Sequence, residues 1–270
     1  MAYIKYLLNS YKIKVLIEMK KAYLSLIVAA LTATNVVAEE AKKDWEVTSE
    51  LGLILTSGNT ETTTLKGAIK AKHEMENWTN EYKLDGLFKE DEIEKDDGTK
   101  ETQRTNEKYF ASAQGNYKLN EENSHFFLFG SHTSDYFGSF RNESVFSVGY
   151  GKRFLDKPNM YFDAEIGPGY KYFEESKKDD GTKGDTDGEA IALGKVNFNW
   201  EITEYAKFTQ TVGMEYGSTN TKTKSESALL TKINGSMQMK VGFNVTHNSD
   251  VDSDKENTDT ETTLTLVYNF

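Results

Sequence analysis

The chain has 270 residues, a formal charge of −11, 37% hydrophobic residues and no cysteine. The acidic balance argues against a nucleic-acid-binding surface, and the lack of cysteine removes zinc–thiolate sites, thiol nucleophiles and disulfides. Past the N-terminus no run is long and apolar enough for a membrane helix. That leaves open a barrel, whose strands bury only every second residue in lipid.

In chain order, Met19-Lys20-Lys21 opens a positive stretch, followed by the apolar run Ala22 to Ala33 and by Val36-Val37-Ala38 before Glu39-Glu40. This is the pattern of a secretory signal cleaved after Ala38; the run is short for an uncleaved anchor. Translation is expected to start at Met19, with residues 1–18 an extension of the 1–38 leader. That leader holds five lysines (Lys5, Lys12, Lys14, Lys20, Lys21) and one acid, Glu18, so the remainder carries 27 basic and 42 acidic side chains. Residues 39–44 read as a short periplasmic lead and 45–270 as one domain.

From Trp45 onward the dominant pattern has period two, the signal of strands. Fifteen Tyr, fifteen Phe and twenty Gly against two Pro fit that composition. In 107–119, Tyr109, Ala111, Ala113, Gly115, Tyr117 and Leu119 fall on one face and Lys108, Ser112, Gln114, Asn116 and Lys118 on the other. In 188–201, Ala190, Ala192, Gly194, Val196, Phe198 and Trp200 alternate with Glu189, Lys195, Asn197 and Asn199. A helix would scatter these residues around its circumference. Twelve such segments are predicted: 45–56, 62–75, 80–90, 105–119, 125–136, 143–154, 160–173, 188–201, 204–217, 225–233, 237–248 and 260–270. Many match the roughly nine to eleven residues of a tilted membrane strand better than the roughly five or six of a soluble sandwich strand.

The connections alternate in kind. Short ones (76–79, 120–124, 155–159, 202–203, 234–236) take turns with a set that includes the long polar stretches 91–104, 174–187, 218–224 and 249–259. Outer-membrane barrels have short periplasmic turns and longer outer loops, and an even strand count puts both termini on the short-turn side. The predicted fold is all-β: a closed antiparallel transmembrane β-barrel of about twelve strands. Trp45, Trp78 and Trp200 map to its periplasmic rim. Phe88, Tyr109, Tyr136, Tyr172 and Tyr216 map near the opposite rim, as amphipathic rings do at headgroup level.

The chain ends in a strand with Leu264, Leu266, Tyr268 and Phe270 on one face, which looks like the assembly signal of outer-membrane barrels. With LGLILTSGNTETTTL (51–65), GPGYKY (167–172) and SALLTKINGSMQMKVGFNVTHNSD (227–250), it resembles the family of salt-induced outer-membrane proteins, a domain of unknown function. The resemblance covers roughly residues 45 to 270. It implies a barrel and a location, and brings no catalytic or binding residues with it.

Candidate sites come from the polar face. Lys66, Lys70, Lys72, Lys83, Asp85, Lys108, Asp163, Glu165, Lys171, Glu189, Lys195, Lys207, Glu215, Lys232 and Lys240 are predicted to line the lumen, ten lysines against five acids. They either pair across the lumen and close it or line a narrow wet passage; if open, the wall is expected to be net positive and weakly anion-selective. KDDGTK occurs at 95–100 and 178–183, where Asp-Gly suits hairpin tips or the acids bind divalent cations against lipopolysaccharide. Asp250, Asp252, Asp254 and Glu261 fall at calcium-loop spacing, but Lys255 stands where the loop needs Gly, so the motif is weak. A lipid hydrolase would need a Ser–His pair on the lipid face near the outer rim. Of the four histidines, His247 with Ser225 or Ser227 is the candidate, and an ordinary interfacial histidine is the plainer reading.

The function expected is therefore a non-enzymatic, monomeric barrel in the outer membrane of a Gram-negative bacterium, without cofactors. It would be a narrow porin-like channel or a structural envelope or stress-response protein. Its expected partners are membrane lipid, lipopolysaccharide, the barrel-assembly machinery and periplasmic chaperones, with no nucleic acid. A membrane-embedded lipid hydrolase and a soluble periplasmic binding barrel are the alternatives.

Overall fold

The computed structural model describes residues 44–56, 62–94, 99–119, 123–176, 182, 184–251 and 256–270. The leader, its cleavage site and the first turn (57–61) lie outside the described residues, as do most of both KDDGTK stretches. Twelve strands follow one another: β1 Trp45–Thr56, β2 Thr62–Glu74, β3 Trp78–Glu94, β4 Lys100–Lys118, β5 Ser124–Asp135, β6 Phe140–Lys157, β7 Met160–Glu175, β8 Thr186–Glu201, β9 Ala206–Tyr216, β10 Thr221–Lys232, β11 Met237–Asn248 and β12 Thr258–Asn269. Each pairs antiparallel with its chain neighbours, and β1 pairs with β12, so the sheet closes on itself. Closure pairs the two terminal strands where they register, as a sheet in hydrocarbon requires.

The alternation is resolved into two walls. Outward positions carry Leu84 at 57% exposure, Phe146 at 55% and Ile166 at 67%, far too much apolar surface for water and the right surface for lipid. Inward positions carry the charged and amide side chains. Trp45, Trp78 and Trp200 sit near the rim at which β1 begins and β12 ends (the terminal rim). There Trp45 stacks on His73 at 4.1 Å and Trp78 meets Tyr117 edge-on at 5.3 Å. Tyr109, Tyr136, Tyr172 and Tyr216 lie exposed near the loop rim.

Three boundaries differ from expectation. The β3–β4 hairpin runs to Glu94 and resumes at Lys100, so most of the loop expected at 91–104 is strand. Likewise β10 begins at Thr221 rather than at residue 225, and Trp78 opens β3 instead of sitting in a turn. A strand that projects into water needs no apolar face, so KEDEIE (89–94) pairs without a hydrophobic period to reveal it.

The seam between β1 and β12 has the shortest ladder in the barrel. It registers only Thr48–Leu51 against Leu266–Asn269, extended by Phe270 N donating to Val47 O at 3.0 Å. Gly52 follows at once, and a Cβ there would sit 2.8 Å from Thr265 Cγ2; only glycine lets β12 approach so closely. Side chains fasten the seam from within. Thr48 Oγ1 bonds Asn269 Oδ1 at 3.0 Å, Lys66 of β2 reaches past Gly52 to Glu261 of β12, and Glu50 of β1 reaches past β12 to Lys240 of β11 at 2.7 Å. Outside, Tyr268 and Phe270 pack edge-on at 4.8 Å.

Because so short a ladder closes the barrel, its last rung matters disproportionately. Deleting Phe270 removes both a seam hydrogen bond and the ring against Tyr268. We expect several-fold less heat-modifiable, folded barrel in membranes. Wild-type amounts on unheated gels would contradict this.

Candidate functional site: a bridged lumen

Inward positions of nearly every strand carry an ionisable or amide group, and these meet in pairs. Glu50 holds Lys70 and Lys240, each at 2.7 Å. Lys83 lies 3.1 Å from Asp85, and Lys108 lies 2.8 Å from Asp135. Arg153 grips Asp163 with two bonds of 2.7 and 3.1 Å. Lys171, fully buried, lies 3.1 Å from Glu189 with the rings of Phe173 and Phe140 at 5.5 and 5.9 Å. Lys72 reaches Glu74 at 3.3 Å. Lys207 and Lys232 lie at the terminal-rim ends of β9 and β10.

Some of these contacts join strands on different sides of the wall. Lys222 of β10 bonds Glu143 of β6, with three strands between them in the closed order. Gln114 of β4 donates to Glu165 of β7 at 2.9 Å and to Asn116 at 2.9 Å. The same Glu165 takes His125 at 3.1 Å and Lys195 of β8 at 3.6 Å, and Lys195 reaches Gln114 Oε1 at 3.5 Å. Lys83 of β3 also approaches Glu226 of β10 at 3.9 Å. Members of both main bridges, Glu143 with Lys222 and Gln114 with Lys195, line a chamber of about 190 Å³ together with Asp85 and Lys108.

One part of the lumen is dry. Phe127, Val145, Ile191 and Leu193 form a buried apolar cluster on β5, β6 and β8, with Phe129 against it. Sequence reasoning assigned all inward positions to polar groups and missed this cluster. The buried parity of Ile191 and Leu193 against outward Ala190 and Ala192 was the available signal.

The expected basic excess narrows. Glu50, Glu143, Glu226, Asp135 and Glu261 also face inward beside lysines, while Lys222 and Lys224 are added on the basic side, so the wall is close to balanced. Lys222 and Lys224 precede the strand expected from residue 225, and Asp135, Glu143 and Glu261 lie at the ends of the expected strands, whereas Glu50 stands in mid-strand with no sequence signal that sets it apart. Glu261 sits on β12, bonded to Lys66 and accepting from Asn244 at 3.3 Å. It is therefore not a loop ligand beside Asp250, and Asp252 and Asp254 lie outside the described residues. Among the described residues no cluster of metal-ligating side chains forms. His247 bonds Thr258 Oγ1 at 2.9 Å. Ser225 and Ser227 instead bond Gln210, so neither serine pairs with His247, in keeping with the plainer reading of an interfacial histidine.

A closed twelve-stranded sheet with an apolar outer wall and a charged, bridged interior defines a transmembrane β-barrel. The chain belongs to the family described as "Protein of unknown function, DUF481", whose model matches residues 49–270. It is 35% identical over 169 residues to "Uncharacterized protein YdiY" of Escherichia coli (strain K12); the match covers 62% of this chain and 63% of that relative's length. Among solved structures it is similar to the COG4313 outer membrane channel from Pseudomonas putida F1 (TM-score 0.49, 9% identity, 86% of this chain and 100% of that one). It is also similar to the translocator domain of autotransporter NalP from Neisseria meningitidis (TM-score 0.45, 12% identity, 94% and 98%).

Glu50 is the most heavily used carboxylate of the seam, and removing one partner of a buried ion pair costs about 3–5 kcal/mol. Glu50→Ala, which leaves Lys70 and Lys240 facing each other, is expected to lower the stability of the detergent-folded barrel by about 3 kcal/mol on that scale. Chemical denaturation followed by tryptophan fluorescence measures it. A loss below about 1 kcal/mol would mean that water screens the pair as on a surface.

Proposed function

We propose that this protein is an outer-membrane barrel that passes small solutes through a lumen closed at rest by side-chain bridges. The observation that carries this reading is the chamber lined by both cross-lumen bridges. Its closure is made of long, flexible side chains. Among the described residues all twelve elements belong to the wall. Lysine and glutamine rotamers rearrange far faster than a folded plug could leave, so Lys222, Lys195 and Gln114 can open a path without breaking the sheet. The near-balanced wall predicts little choice between small anions and cations. A rigid envelope protein is the second reading, favoured by the completeness of the pairing and the dry cluster at Phe127. The signal segment and the apolar outer wall support an outer-membrane location; lipid, lipopolysaccharide and the barrel-assembly machinery follow as partners.

Two measurements test this. The mature chain, starting at Glu39, should fractionate with outer membranes and shift its mobility when unheated; recovery as a soluble periplasmic protein would reject the location. In planar bilayers the wild type should give small conductance steps of weak selectivity, and the Glu143→Gln, Gln114→Ala double variant should raise their amplitude at least two-fold. A silent bilayer for both, with lowered thermal stability in the variant, would favour the rigid reading.

A further inference from the structure

The outer wall carries a Ser–His pair that neither the family nor the lumen explains. His132 of β5 and Ser144 of β6 stand directly opposite each other in register, with His132 Nδ1 2.8 Å from Ser144 Oγ. Both share the outward parity of Leu128 and Phe146, so they face lipid rather than the lumen. Their height is that of the loop-rim aromatics. Tyr172 is the next residue across from Ser144, and Tyr109 lies opposite Ser134, one rung nearer the loops. This is the depth at which the ester groups of membrane lipids meet water.

Two further features converge on the pair. Ala111 stands level with His132, and Ala113 and Gly130 follow toward the membrane centre; a Cβ built on Gly130 would meet no heavy atom within 4 Å. Larger side chains border this shallow trough, Leu84 opposite Ala111 and Phe146 opposite Gly130. On the loop side, Arg141 donates to Ser134 Oγ at 3.3 Å and lies over the Tyr136 ring at 4.7 Å. Arginine is scarce here, with Arg104, Arg141 and Arg153 the only three in the chain. A nucleophile, a base, a cation and a trough of acyl-chain character are thus placed in order along the wall.

We propose that Ser144 and His132 form a nucleophile–base pair that cleaves fatty-acyl esters of lipids in the leaflet at the loop rim. The alkyl chain would lie in the trough and the headgroup would face Arg141. His132 takes the Ser144 hydroxyl proton as Oγ bonds to the acyl carbonyl carbon, giving a tetrahedral oxyanion. Collapse breaks the ester C–O bond, and the leaving lipid alkoxide receives the proton from His132. Water then attacks the acyl-serine, again giving its proton to His132. Fatty acid leaves, and Ser144 is restored as its Oγ regains that proton. Among the described residues no side chain bonds the other ring nitrogen of His132, so the pair acts as a dyad. The site lies on the outer wall, so it stands or falls separately from conduction through the lumen.

A fluorophosphonate probe reports the nucleophile, and release of fatty acid reports turnover. Folded wild-type protein in detergent should be labelled on the peptide containing Ser144. It should release fatty acid from mixed micelles of either dioleoylphosphatidylglycerol or hexa-acylated lipid A, and the micelle that responds identifies which lipid is the source. Ser144→Ala should lose both signals, and His132→Ala should lower both about 100-fold. Each variant should keep wild-type heat-modifiable mobility and bilayer conductance, which separates lost chemistry from lost folding. Absence of labelling on Ser144, labelling or turnover that survives Ser144→Ala, or failure to release fatty acid from both lipids would each overturn the proposal.

Discussion

Hydrocarbon offers no hydrogen bonds, so every backbone N–H and C=O at membrane depth must find its partner inside the protein. A sheet meets that demand by closing, and the rest of this molecule follows from the closure. Joining β12 to β1 turns one face toward lipid and the other toward an enclosed space. The outward face then has to be apolar, as the exposed Leu84, Phe146 and Ile166 are. The inward face receives the paired charges of the lumen, and in so narrow a space those charges cannot be ignored by one another. The short β1–β12 ladder shows where closure is hardest. There the sheet relies on Gly52 for close approach and on Lys66–Glu261 and Glu50–Lys240 to hold strands that backbone bonds join over only a few residues.

Enclosure also explains why the interior is neither a wet pipe nor a dry core. The cluster around Phe127, Val145, Ile191 and Leu193 fills part of the lumen as an ordinary core would. The rest is filled by long charged side chains that find opposite charges on distant strands. Such bridges hold the barrel by paired charge, yet each is built from a side chain with several rotatable bonds. Under the channel reading proposed above, the same residues serve stability and a closable path, and their identity alone does not separate the two roles. A chamber lined by Glu143, Lys222, Gln114 and Lys195 remains beside these contacts.

The two faces differ in how interactions are chosen. On the outer wall, neighbours are set by register between adjacent strands, so His132 meets Ser144 and His247 meets Thr258. Both histidines share outward parity and a position near the loop rim, and both have hydroxyl groups within a strand or two. Which hydroxyl stands opposite depends on where each hairpin turns, and a one-residue change would reverse the face of every residue beyond it.

The period-two pattern is local, and a strand keeps its faces whatever it pairs with. The sequence by itself therefore determined the number of strands, the two walls and the inward parity of residues such as Lys66, Lys70, Glu165 and Lys171, but it overstated the long connections, since 91–104 and 218–224 are mostly strand. It was blind where both faces of a strand are polar, as in 89–94 and 221–224, because no contrast marks the strand there. Tertiary structure alone decided the partners. Whether Lys222 meets Glu143 or another acid, whether Glu261 serves a loop or bonds Lys66 across the seam, and whether Ser225 faces His247 or Gln210 depends on stagger summed around twelve strands. No short segment carries that sum. Closure brings together residues far apart in the chain, such as Glu50 and Lys240, and only the closed sheet says how far apart they stand.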